Sequence, residues 1–356
     1  MRVKLLKELC ELRGISGFER DVRKYMEKEF LTVVKKEDIS YDGLGSIIAC
    51  KEGDKKGPKI MLAGHMDEIG MIVTRITDDG FIKFQTIGGW WGQVMLAQQF
   101  TITTSTGKTI EGVTGSKPPH LLSPEEAKGA AKIDDMFIDI GVKDKAEAEA
   151  LGIQVGDMIC PQIEFRPLAN PNYLLGKALD NRLGCAIVIE VLKSLKDEKH
   201  PNIVLGVGTV QEEVGLRGAR TSGYMVEPDI CFALDVGIAK DTPGTDMSVK
   251  AGGGPGILIY DSGLIGHVGL REKVIAIAKE EEIPYQLDYI QRGGTDAGAI
   301  HLTHKGVPAM SFCIPTRYIH SHTSIIHKDD YDNAIRLITA VIKKLDWKMV
   351  NEITYN

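Results

Sequence analysis

Lys59-Ile-Met-Leu-Ala-Gly-His-Met-Asp-Glu-Ile-Gly70 is the stretch around which the rest of the chain is organised. Ile60 to Ala63 form an apolar run of the kind a buried strand shows, and the run stops at Gly64, where His65 and Asp67 begin. In extended backbone, residues two apart share a face, so His65 and Asp67 are expected to project together from the strand's end. An imidazole beside a carboxylate suits a metal ligand whose partner fixes the tautomer, orients the ring or handles a proton. A surface loop with an incidental His and Asp has the same spacing, so the decision rests on the remaining segments.

Those segments alternate in texture. Residues 3–12 and 19–30 have a helical period, with Phe18-Glu-Arg-Asp placing acids at the start of the second helix. Ile47-Ile-Ala-Cys50 is a strand. From about Met71 to Glu164, short β-branched or aromatic runs recur between glycines, which predicts a small all-β unit inserted into the chain. Within it, Ser123-Pro-Glu-Glu-Ala-Lys128 and Lys143–Leu151 have helical patterns. Beyond Pro167 come a long helix at Asn181–Asp197, strands at Ile203–Val210, Ile230–Leu234 and Ile257–Tyr260, a helix across Leu270–Glu281, a strand at Ala309–Ile314 and a last helix at Asp330–Val350. This predicts an α/β fold with a mostly parallel central sheet and helices on both faces. The α/β unit is expected to be discontinuous, 1–70 with 165–356, and 71–164 to be the inserted β-rich unit. A length of 356 residues suits two domains, or one large domain with an insertion.

Several runs end in an acid or a histidine: Ala178-Leu-Asp180-Asn-Arg182, Gln211-Glu-Glu-Val-Gly215, Asp235-Val-Gly237 and Thr316-Arg-Tyr-Ile-His320-Ser-His322. In open α/β sheets, ligands bind beyond the carboxyl ends of the strands, where separate segments converge. Singly, each has a structural reading: Asp180 as a helix cap, Glu212-Glu213 as a solvated strand end, Asp235 as a turn residue. Together they form a carboxylate and imidazole set suited to paired divalent ions. The period of two sends Glu212 and Glu213 to opposite sides, so one can bind metal while the other moves a proton.

Gly64-His-Met-Asp67, Ala178-Leu-Asp-Asn-Arg182, Gln211-Glu-Glu-Val-Gly215, Ala233-Leu-Asp235 and Arg317-Tyr-Ile-His320, in that order, resemble the M42 family of dinuclear-metal aminopeptidases. The family includes glutamyl, leucyl and deblocking enzymes, and some relatives carry an endoglucanase label. The likeness covers essentially the whole chain, Gly293-Gly-Thr-Asp-Ala297 included. It implies a metal-dependent aminopeptidase with a zinc-exopeptidase-like fold. His65 and Asp235 would hold one ion, Glu213 and His320 the other, and Asp180 would bridge. Asp67 would stand behind His65, and Glu212 would act as general base. His322 is the fallback for His320. Two divalent ions per subunit (Zn, Co or Mn) and peptide substrates with a free N-terminus follow from the same likeness. So does a homo-oligomer built from dimers joined through the inserted unit, up to a dodecamer. A carboxypeptidase, a deacylase or an endoglucanase on the same frame is the alternative.

Other signals are weaker. A net charge of −6 provides no footprint for nucleic acid or anionic membrane, and no apolar run reaches spanning length. The first ten residues lack a signal peptide's apolar core, and the six cysteines are scattered without a C-x-x-C, so a reducing cytoplasm is expected. Ala251-Gly-Gly-Gly-Pro-Gly256 precedes a strand and is a turn, not a phosphate loop. Gly88-Gly-Trp-Trp91 is expected to contact another subunit. His120 is expected to be structural, while Lys250 and Arg292 are candidates for recognising an acidic side chain.

Overall fold

The quoted stretch forms the strand Lys59–His65, flanked in parallel by Ile203–Thr209 and Ile230–Ile238, with Ala309–Arg317 parallel to the latter. This computed structural model describes residues 2–125, 128–246 and 249–354. Period-two alternation sorts the strand's apolar side chains. Ile60 and Leu62 join the larger core with Leu183 and Ile187, while Met61 and Ala63 join a smaller core with Ala219 and Ala297 on the opposite face. Both faces are therefore covered, which is why the run is continuously apolar.

The sheet is mixed. Its four central strands are parallel, and antiparallel strands flank them: Ile39–Tyr41 and Ile47–Glu52 on one side, Ser324–His327, Tyr173–Gly176 and Arg166–Pro167 on the other. Gly256–Tyr260 and Gln286–Tyr289 branch from Ala309–Arg317.

Gly64 does not end the strand. A side chain there would lie 2.6 Å from the Gly184 carbonyl carbon, so its absence lets the helix Leu179–Ser194 sit directly on the sheet. Gly184 in turn faces the Leu234 carbonyl, where a Cβ would lie 2.2 Å away. These two bare positions bring the start of that helix over the ends of two neighbouring strands.

A second unit is a closed antiparallel barrel of six strands, in the order Gly70–Ile76, Ile82–Ile87, Phe137–Asp139, Thr109–Gly115, Gln99–Thr103, Met158–Pro161. Its own core includes Met71, Val73, Phe100, Ile102, Ile138 and Ile159. The expected helix at Lys143–Leu151 is present as Lys145–Ala150, capped by the Asp144 carboxylate, which accepts from the Glu147 amide. The one expected at Ser123–Lys128 falls partly outside the described residues.

The last expected helix is two, Lys328–Lys344 and Trp347–Thr354. Leu345 leaves helical geometry, and Asp346 restarts the helix by accepting the Met349 amide at 2.9 Å. All six cysteines are free and five are buried. Among the described residues no helix is long and apolar enough to cross a membrane.

Candidate functional site

His65 stands at the end of its strand and is 2% exposed. Its Nδ1–H donates to the Asp67 backbone carbonyl at 3.0 Å, with Asp67 Oδ1 3.5 Å away, which turns Nε2 into the cleft. The Asp67 carboxylate is fully buried and engaged elsewhere. It accepts the Glu212 amide at 3.0 Å, the Glu213 amide at 3.2 Å and the Ser16 hydroxyl at 2.6 Å. Burial disfavours its charge, but His65, Ser16 and the Glu212 amide outweigh burial and hold the carboxyl below its usual range. Asp67 therefore fixes the backbone of both glutamates as well as standing beside His65.

Asp180 and Asn181 lie outside helical geometry at the head of the helix Leu179–Ser194. Asn181, not Asp180, provides the cap: its Oδ1 accepts the Gly184 amide at 2.9 Å while its Nδ2 donates to the Leu234 carbonyl at 2.7 Å. Asp180 is thereby released from capping. Its Oδ1 lies 3.1 Å from His65 Nε2 and its Oδ2 3.4 Å from His320 Nε2, so one carboxylate spans the two imidazoles. Asp235, on the strand Ile230–Ile238, accepts its neighbour's amide and lies 4.0 Å from His65 Nε2. His320 Nε2 also lies 3.6 Å from Glu213 Oε2, and Glu212 Oε2 is 3.8 Å from His65 Nε2.

Two groups of donor atoms result, His65–Asp180–Asp235 and Asp180–Glu213–His320, each with its atoms within 4.8 Å of one another and sharing Asp180. Burial, reinforced by Asp180, pushes Glu213 up to about 8 and raises Asp235 well above the usual carboxylate range. Burial likewise raises Glu212, with Asp235 and Asp296 adding to it against His65. Asp180 is held low because His320 and His65 outweigh its burial. Acids crowded this closely call for positive charge between them. Glu213 Oε1 is buried with no hydrogen-bond partner among the described residues, as expected of an atom awaiting a cation.

Strained backbone clusters here. Ala178, Gln211, Tyr318 and His320 take positive φ values of 53°, 55°, 63° and 55°, each at a donor residue or two positions before one. The donor groups open into a cleft of about 480 Å³ whose lining includes Glu212, Ile238, Thr242, Arg292, Tyr318 and Ile319. Lys250 is not part of that lining; its amide is bonded to Gln286. His322 sits at the joint with the barrel, its Nε2–H on the Gln99 carbonyl at 2.6 Å and its ring edge-on to Phe100, away from both donor groups. His120 is exposed on the Pro119–Leu121 turn and belongs to neither group.

Sequence reasoning passed over the supports. Ser16 reaches Asp67 from the loop between the first two helices. Glu19 does not cap its helix; its Oε1 accepts the Gly17 and Gln211 amides, bracing the turn before Glu212. Glu68 is buried against Lys177, at 2.6 Å, and Arg182, at 3.3 Å. Arg182, fully buried, also donates to the carbonyls of Met66, Leu9 and Gly14, clasping the N-terminal helix to the site. The available signal was charge inside apolar surroundings: Glu68 follows a buried strand and Arg182 opens a nearly all-apolar helix.

The sequence model of the family described as M42 glutamyl aminopeptidase matches residues 45–337. A glutamyl aminopeptidase of Lactococcus lactis subsp. cremoris (strain MG1363) is 38% identical over 350 residues, covering 98% of each chain. Among solved structures, the TET aminopeptidase of a marine sediment archaeon, Thaumarchaeota archaeon SCGC AB-539-E09, is 42% identical, with a TM-score of 0.96 over 99% of both chains. A TET1 peptidase from Pyrococcus horikoshii, described as assembling into a tetrahedron or a large octahedral shell, is 32% identical, with a TM-score of 0.85 over 97% of this chain and 100% of that one.

Proposed function

This chain belongs to the M42 glutamyl aminopeptidase family, and from that membership we propose that it removes N-terminal residues from peptides using two divalent ions, with Glu212 as general base. The observation that carries the reading is the pair of donor groups sharing Asp180. His65 and Asp235 would hold one ion, Glu213 and His320 the other, and Asp180 would contact both. The donors fit: imidazoles and carboxylates without a thiolate suit Zn, Co or Mn. Such ions supply Lewis acidity at neutral pH, polarising a carbonyl oxygen and activating water.

The protein's own residues do the rest. Glu212 faces the cleft on a backbone locked by Asp67, so its carboxylate meets water at a fixed place and takes up a proton there. The raised proton affinity that burial confers matches a group that later returns that proton to the departing amine. One of the two ions would also offer a site for a free α-amino group, which an interior peptide lacks, and this would favour cleavage at the chain end. A glycosidase would need two acids flanking its bond. With Asp180, Glu213 and Asp235 assigned to ions, Glu212 is the remaining carboxylate among the described residues that line the cleft.

Trp91, Val113, Leu121 and Val155 leave apolar surface exposed on the barrel. This supports subunit pairing through the inserted unit, 71–164; further assembly of those dimers into a dodecamer rests on the likeness to TET1 peptidase, one form of which is described as a dodecamer.

The test is amino-acid release from a panel of peptides with free or acetylated N-termini, before and after chelation. We expect release from free termini alone, lost on chelation and restored by Co, Mn or Zn. Release that survives chelation, or that ignores acetylation, contradicts the reading.

A further inference from the structure

The two donor groups differ in what holds them. His65, Asp180 and Asp235 come from the sheet and its helix, and the hydrogen bonds of His65 and Asp235 stay within that layer, to the Asp67 carbonyl and from the Val236 amide. His320 is different. It follows the strand Ala309–Arg317 on a turn with positive φ, and its side chain is 42% exposed against 2% for His65. Packing leaves that ring room to rotate. Its Nδ1 lies 2.8 Å from the carbonyl oxygen of Gly89, which belongs to the barrel.

The barrel loop is shaped for that approach. Gly88 takes a φ of +80°, and a Cβ on it would lie 2.6 Å from Ile69 Cγ2 and 3.1 Å from Glu213 Oε2. A Cβ on Gly89 would lie 3.0 Å from His320 Nδ1. The next residue pins the loop: Trp90 Nε1–H donates to the Gly70 carbonyl at 3.0 Å, and its ring packs against Phe100. The loop thus bonds His320 and passes close to Glu213, and among the described residues it makes no hydrogen bond or ion pair with His65 or Asp235.

We propose that the barrel completes one half of the cation site: the Gly89 carbonyl accepts Nδ1–H of His320 and so presents Nε2 to the space between Asp180 and Glu213. Gly89 is a positioning residue. A backbone acceptor on Nδ1 fixes the tautomer in which Nε2 carries the lone pair, and it orients a ring that solvent would otherwise leave loose. The affinity of the Glu213–His320 half then depends on where the barrel holds its loop, whereas the His65–Asp235 half does not. This rests on the two-ion reading above.

The experiment titrates metal-stripped full-length chain with Co(II), followed by calorimetry and by the visible absorption of the bound ion. Wild type is compared with Gly89→Ala and Trp90→Phe. Gly89 does not have a left-handed φ, so alanine fits its backbone and disturbs chiefly the imidazole. We expect two equivalents in wild type. In Gly89→Ala the first should be unchanged and the second weaker by about 10–100-fold, the usual effect of losing an outer partner of a ligand, with the absorption change confined to the second equivalent. Trp90→Phe, which frees the loop without adding bulk, should act in the same direction and less. An unchanged second equivalent in both variants overturns the inference, as does equal weakening of both equivalents. A single equivalent in wild type overturns the two-ion reading, and this inference with it.

Discussion

Glu212→Gln is expected to abolish turnover while both ions stay bound. The substitution keeps the size of the side chain and the hydrogen bond from the backbone N–H of residue 212 to Asp67, and it removes the charge and with it the capacity to accept a proton. General base catalysis is worth roughly 10²–10⁴-fold, so kcat should fall by that order with KM little changed. Metal analysis of the purified variant is the control. Glu212 Oε2 lies 3.8 Å from His65 Nε2, on the cleft side of the donor groups, whereas its neighbour Glu213 reaches His320. A Glu212→Gln protein that has lost metal would mean the two glutamates have exchanged roles.

The second large effect is expected at Asp180. It is the one carboxylate common to both donor groups among the described residues, with Oδ1 3.1 Å from the His65 imidazole and Oδ2 3.4 Å from that of His320. Asp180→Ala should therefore empty both halves, taking metal content from two equivalents towards none and peptide hydrolysis to background. A metal ligand that doubled as a helix cap would blur the result, because the fold would loosen as well. Here Asn181 performs the capping and the tie to Leu234, so the variant should remain folded with its helix intact. Circular dichroism alongside metal analysis separates the cases. A folded Asp180→Ala chain that keeps one ion at undiminished affinity would rule out the bridging role.

How much of this was legible in the sequence differs by level. The unbroken apolar run Ile60–Ala63 and the acids at the ends of successive segments carried the central layer and the candidate site, because burial on two faces writes itself into composition. Of the antiparallel flanks, only Ile47–Glu52 was legible as a strand, over Ile47–Cys50. Tyr173–Gly176 and Ser324–His327 are four residues each, too short to show a period. Thr109–Gly115 carries two glycines and a glutamate, and it is a strand because the barrel pairs it on both sides. Gly64 was taken as a stop because glycine usually punctuates; its actual cause, the closeness of Gly184, is a tertiary contact.

At the site, the donor types and their order could be read, but their supports could not. Asp67 bonding the amides of Glu212 and Glu213 joins positions 145 and 146 residues apart in the chain. Ser16 acts through a hydroxyl, Glu19 by accepting backbone amides and Gly89 through its carbonyl, none of which leaves a spacing to recognise. Asp180 had a plausible reading as a cap, and only the geometry of Asn181 assigns that duty to the next residue.

The claim on which all of this turns is that His65, Asp180, Glu213, Asp235 and His320 enclose a pair of cations. Crystals grown with Co(II) or Zn(II), with diffraction recorded on either side of that metal's absorption edge, test it directly. The account predicts two anomalous peaks flanking the Asp180 carboxylate, one beside His65 and Asp235, the other beside Glu213 and His320. Peaks elsewhere, or none within this cleft in protein that is releasing amino acids, would contradict it.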